Sequence, residues 1–117
     1  MNEMFAKSLY DLIVRENLED YKNLYKTAVV DAKTDPYYKD ALNLYNSLPE
    51  DKRKILLKII EQTMVDTISS ILGIIDGSIP VNEKDSVEPK LFLNSMDTEG
   101  ELQDLFLEHV EELENNK

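Results

Sequence analysis

The chain of 117 residues has no cysteine, one histidine, three glycines and only 13 basic side chains against 24 acidic ones. Each shortage removes a class of chemistry. Without cysteine there is no disulfide framework, no thiolate metal site and no Cys nucleophile, and a reducing compartment is favoured. One histidine rules out a His-based zinc centre, and neither HExxH nor a paired ExxH set occurs. Three scattered glycines leave no glycine-rich phosphate loop. A net charge of −11 repels nucleic acid and anionic lipid, and attracts a basic protein surface or cations.

Long uninterrupted apolar runs are missing too. Residues 55–75 are rich in Ile and Leu, but Lys58, Glu61, Gln62 and Asp66 interrupt them, so no membrane span is expected. The start, MNEMFAKSLYDLIVREN, has no basic region followed by an apolar segment and does not read as a signal peptide. The chain is read as cytoplasmic. Hydrophobic residues at 42% beside charged residues at 32% describe a globular protein, and this length suffices for one core. A single domain is expected over residues 1–113, with 114–117 as a disordered tail. The acidity is uneven: residues 1–75 hold 12 acidic and 10 basic side chains, whereas residues 76–117 hold 12 and 3.

Helical periodicity dominates. Phe5, Leu9, Leu12 and Ile13 share one face, while Leu18, Tyr21, Tyr25 and Ala28 share another, rotated by well over a quarter turn. This predicts either a break near Asn17, with a second helix from Leu18 to about Val30, or one kinked helix. Asp35 followed by Pro36 is a helix start, Tyr38, Ala41, Leu42, Tyr45 and Leu48 form its stripe, and Ser47 with Glu50 has capping-box spacing for the next helix. From Pro49 to Asp76 one long core helix is expected, with Leu57, Ile60, Met64, Ile68, Ile71 and Ile75 at the centre of its apolar face. Gly77 and Pro80 stop it. Ile79–Val81 and Leu91–Asn94 are predicted to pair as a small hairpin, and Leu102, Leu105, Phe106, Val110 and Leu113 mark the last amphipathic helix.

Two polar rows interrupt this pattern. Gln62, Asp66, Ser69 and Gly73, bordered by Ser70, recur along one side of the core helix. They read as a partly exposed face where small residues let another element approach, as a buried network around Asp66, or as a binding site. Glu101, Asp104, Glu108 and Glu111 form a row on the last helix, and like charges so spaced cost roughly 0.2 to 0.5 kcal/mol per pair unless cations neutralise them. Lys52, Arg53 and Lys54 are one source of cations and a basic partner protein is another. His109 lies on the apolar stripe and reads as a hydrogen-bonded core-edge histidine rather than a base. DTEG at Asp97 to Gly100 resembles the middle of a calcium loop, but Phe106 stands where the closing Glu belongs.

The stretches DPYYKDALNLY, VDTISSILGIIDG and GELQDLFLE together resemble a family of small acidic bacterial proteins of unassigned function. The resemblance implies a shared fold and carries no activity, cofactor or catalytic residue with it. The expectation is therefore a mainly α single domain of four to five helices around one long core helix, with a small two-stranded β-hairpin before the last helix. The leading function is a non-catalytic acidic module that binds a protein with a basic surface through Glu101, Asp104, Glu108 and Glu111, in the manner of an immunity or antitoxin protein. No cofactor, metal, nucleic acid or membrane is expected. The alternatives are a carboxylate-dependent enzyme or a metal- or small-molecule-binding protein using the Asp66 strip, and a structural subunit that forms a homodimer.

Overall fold

A computed structural model describes residues 1–27, 31–82 and 87–116. Helix α1 spans Asn2–Leu9, a π-helical stretch follows over Tyr10–Arg15, and α2 continues over Glu16–Thr27. The two apolar faces of this segment thus belong to one continuous helical path. A π stretch inserts about one residue relative to α-helical winding, which rotates the following face by about 100°. That rotation brings Leu18 and Tyr25, both half-buried, back toward the side of the buried Val14. The join lies at Tyr10–Arg15 rather than at Asn17, and Leu12 is exposed where the periodicity had it inward. Ala28 and the helix end expected at Val30 lie outside the described residues.

Helix α3 (Pro36–Ser47) begins as its sequence requires: the Tyr37 N–H donates to Asp35 Oδ1 at 2.8 Å and Pro36 fills the first turn. The turn into α4 (Glu50–Asp76) is made differently from the predicted capping box. Ser47 Oγ donates to the Leu44 carbonyl at 2.7 Å and is thereby consumed by its own helix, and no side chain caps α4. Arg53 holds the turn instead. Its guanidinium donates to the Tyr45 and Asn46 carbonyls at 2.9 and 3.2 Å, joining the Leu48 N–H on the Tyr45 carbonyl at the end of α3, and lies 4.8 Å from the Tyr45 ring centroid. Tyr45 also stacks on Tyr25, with ring centroids 4.8 Å apart, so α3 is fastened by a small aromatic cluster separate from the main core.

Gly77, at φ 85°, ends α4: the Ser78 N–H donates to Gly73 O and the Gly77 N–H to Ile74 O, the two bonds of a Schellman stop. The hairpin precedes the last helix as expected, but its strands are β1 (Phe92–Leu93) and β2 (Met96–Asp97), with Phe92 opposite Asp97 and Leu93 opposite Met96. Ile79–Val81 is not a strand. The short connection wins because Asn94 and Ser95 both adopt positive φ, the requirement of the two-residue turn that matches strand twist. Helix α5 (Leu102–Asn115) continues two residues into the segment read as a tail, and its Glu114 Oε1 pairs with Lys58 Nζ at 2.7 Å.

The main core lies where the N-terminal helical path, α4 and α5 meet. Ala6, Val14, Val65, Ile68, Leu72, Leu102 and Phe106 are buried together. The α4 face is centred on Val65, Ile68 and Leu72, so Ile71, expected near its centre, is half in solvent. This core is small for the chain. The radius of gyration is 18.0 Å, against about 13 to 14 Å for a compact domain of this length. No described helix is long and apolar enough to cross a membrane.

Candidate functional site

The Asp66 strip divides into two halves with different surroundings. Toward the end of α4 it is covered. Gln103 Nε2, from α5, donates to Ser69 O at 3.0 Å and to Ser69 Oγ at 3.2 Å, and Gly73 is buried beneath Ile79 and Gln103. A Cβ on Gly73 would stand 2.7 Å from Ile79 Cδ1 and 2.9 Å from Gln103 Nε2, so the small residue sets how closely α5 approaches. Toward the start of α4, Gln62 and Asp66 are exposed, as is Ser70 on the border of the covered half. Gln62 Nε2 donates to Asp66 Oδ1 at 2.9 Å, an i,i+4 pair on the helix surface. A buried network centred on Asp66 is therefore not what forms.

The carboxylate that organises this end of the molecule is Asp76, which the sequence reading left unassigned. Its Oδ2 accepts from the Gln103 N–H at 2.7 Å and its Oδ1 from the Leu102 N–H at 3.3 Å, capping α5 from across the fold. Gly100, at φ 69°, lets the chain pass close by, because a Cβ there would lie 3.1 Å from the Asp76 carbonyl. A cleft of about 490 Å³ opens beside this junction, with Asp76, Lys90 and Asp97 among its lining residues. Its best-placed acid is thus already committed to holding a helix.

Glu101, Asp104, Glu108 and Glu111 are all exposed on α5, whose opposite side carries Leu102 and Phe106 into the core. Glu101 Oε2 accepts from Asn2 Nδ2 at 3.2 Å. Among the described residues no cation stands within ion-pair distance of Asp104, Glu108 or Glu111. Arg53 is occupied with α3, and no ion pair joins Lys52 or Lys54 to the row. The cations near α5 lie at its edges instead. Lys7 pairs with Glu3 at 3.0 Å, which raises its pKa, with a smaller contribution from the fields of Glu112 and Glu108. Lys58 pairs with Glu114, and that hydrogen bond likewise holds its pKa up.

His109 is half-buried with the Tyr10 ring edge-on at 5.6 Å, yet neither ring nitrogen has a hydrogen-bond partner among the described residues, contrary to the expected core-edge pairing. Among the described residues no group of three or more His, Asp or Glu side chains is arranged to hold a metal ion. No family model, curated protein or solved structure matches this chain.

Proposed function

We propose that this chain is a non-catalytic, cytoplasmic protein-binding module whose outward α5 face takes up a basic surface on a partner protein. The observation that supports this reading is the exposed row of Asp104, Glu108 and Glu111, which continues from Glu101 and which makes no ion pair with any cation among the described residues. An acidic face of this kind steers a basic partner into encounter and repels acidic competitors. Its rigid mounting on the Leu102 and Phe106 core keeps the carboxylates in register for lysines or arginines of the partner. A concrete form of the role is an inhibitor that covers the basic working surface of another protein, as an immunity or antitoxin protein does.

The test uses the full chain and a variant with Glu101, Asp104, Glu108 and Glu111 all changed to Gln as baits in the native host lysate. Basic proteins held by the parent at low salt should be lost from the variant. If the same proteins bind both baits equally at low and high ionic strength, the α5 face is not the binding surface.

A further inference from the structure

The flank of α4 that faces away from α5 carries a second surface of opposite character. Ile55, Ile59, Thr63, Thr67 and Ile71 follow one another at four-residue spacing and form one continuous ridge. The three isoleucines are 52%, 57% and 52% exposed, and both threonines are exposed. Thr63 Oγ1 donates to Ile59 O and Thr67 Oγ1 to Thr63 O, each at 2.8 Å, so the two hydroxyls are satisfied within the helix and need no water. Beside the ridge, clefts of about 440 and 150 Å³ run between α4 and the N-terminal helical path, meeting at Ile13 and Ile68. In a chain with 32% charged residues, not one of the described residues lining either cleft is charged.

We propose that a second copy of this chain docks here, with α4 packed antiparallel against its counterpart about a two-fold axis near Thr63, and the ridge of each copy lying along the apolar cleft of the other. Three observations select this occupant. The first is area. The chain as a whole exposes 8485 Å², where a compact monomer of its mass exposes about 6,500 Å², so surface beyond the roughly 800 Å² per partner that a stable interface covers is left open over the molecule, and exposed apolar side chains of α4 are part of it. The second is charge. Two copies at −11 each repel wherever carboxylates face one another, and the ridge and the described lining of both clefts hold no charged side chain, the exposed Asp66 flanking the ridge on the side away from the clefts; a basic partner finds its row of anions on α5 instead. The third is symmetry. Reversing the ridge about Thr63 sets Ile55 against the second copy's Ile71 and Ile59 against its Thr67, so the patch is self-complementary as a two-fold interface requires.

Absence of cysteine makes the test specific, since Thr63→Cys introduces the sole thiol. The parent should sediment at twice its 13.5 kDa chain mass. Ile59→Glu, on an exposed position, should keep the helical circular dichroism and sediment as a monomer. Thr63→Cys should form a disulfide-linked dimer under mild oxidation, whereas Asp104→Cys, on the acidic face, should not. A parent that stays monomeric up to about millimolar concentration overturns the proposal, as does a dimer that survives Ile59→Glu or fails to cross-link through position 63. The acidic-face reading is judged separately: the Gln variant at Glu101, Asp104, Glu108 and Glu111 should remain dimeric while losing its basic partners.

Discussion

Asp76 and Gln103 hold α4 and α5 together through a two-way exchange: the Asp76 carboxylate accepts from the Gln103 backbone at 2.7 Å, and the Gln103 side chain returns to the Ser69 carbonyl, about two turns earlier on α4, at 3.0 Å. The junction is a helix cap supplied from a distance of 27 residues. Asp76→Ala leaves the Leu102 and Gln103 amides without their acceptor and is expected to cost about 1 to 2 kcal/mol. Asp76→Asn keeps one carbonyl oxygen and should lose less. Urea denaturation of both variants checks the order; equal losses would mean the carboxylate contributes through something other than the cap.

His109 offers the reverse case, a buried polar group whose removal should help. Its two ring nitrogens make no hydrogen bond, while the ring itself packs edge-on against Tyr10. His109→Phe keeps the ring contact, and the adjoining cleft of about 90 Å³ gives room for the larger side chain. A gain of roughly 1 kcal/mol is expected, because burying unpaired polar atoms costs about 1 to 3 kcal/mol and part of the gain is spent on repacking. Thermal melts at one pH between 7 and 8 provide the measurement. A lower melting temperature would show that the nitrogens are satisfied in solution.

Stability should fall on the alkaline side. Burial raises the pKa of Tyr10, with a smaller push from the Glu61 field, and burial likewise raises that of Tyr25; the Glu114 hydrogen bond raises that of Lys58. In each case the folded state holds its proton to higher pH than the unfolded chain. Below about pH 10 both states are protonated and nothing is lost, whereas above it the unfolded state sheds protons first and stability declines as pH rises. Lys58 is about half exposed, so its share is reduced by solvent screening. Denaturation midpoints at pH 8, 9 and 11 should drop almost wholly over the last interval, and Tyr10→Phe should blunt that drop.

Most of the fold was legible because helix signals are local. Asp35 with Pro36 started α3 and Gly77 stopped α4 by backbone rules that need no tertiary knowledge. Elsewhere a local rule met a competitor. Ser47 spent its hydroxyl on its own helix, the Asn94–Ser95 turn took Leu93 from a longer-range pairing, and the phase jump before Leu18 was absorbed by a π stretch rather than a break. The candidate sites divided in the same way. The exposure of Glu101, Asp104, Glu108 and Glu111 followed from their position opposite Leu102 and Phe106 on one helix. The use of Asp76 did not, since its partners lie 26 and 27 residues away. Its one signal was an acid just before a helix stop, with no side-chain cap available at Glu101.

The acidic row should also separate repulsion from the helix dipole. Glu101 and Asp104 stand at the N-terminal end of α5, where negative charge is favoured, while Glu108 lies mid-helix and Glu111 nearer a C-terminal end that has no basic residue in its last turn. Both pairs suffer like-charge neighbours. Changing Glu108 and Glu111 to Gln therefore relieves like-charge repulsion without forfeiting a favourable dipole contribution, and is expected to stabilise by about 0.5 to 1 kcal/mol at low salt. Changing Glu101 and Asp104 to Gln relieves repulsion but forfeits the dipole contribution, and should be neutral or destabilising by a few tenths of a kcal/mol. Both effects should shrink in about 1 M salt, where the screening length is about 3 Å. Equal gains from the two double variants would mean that repulsion along the row outweighs the dipole at both ends, and a gain that persists in high salt would mean that the carboxylates act on α5 through something other than charge.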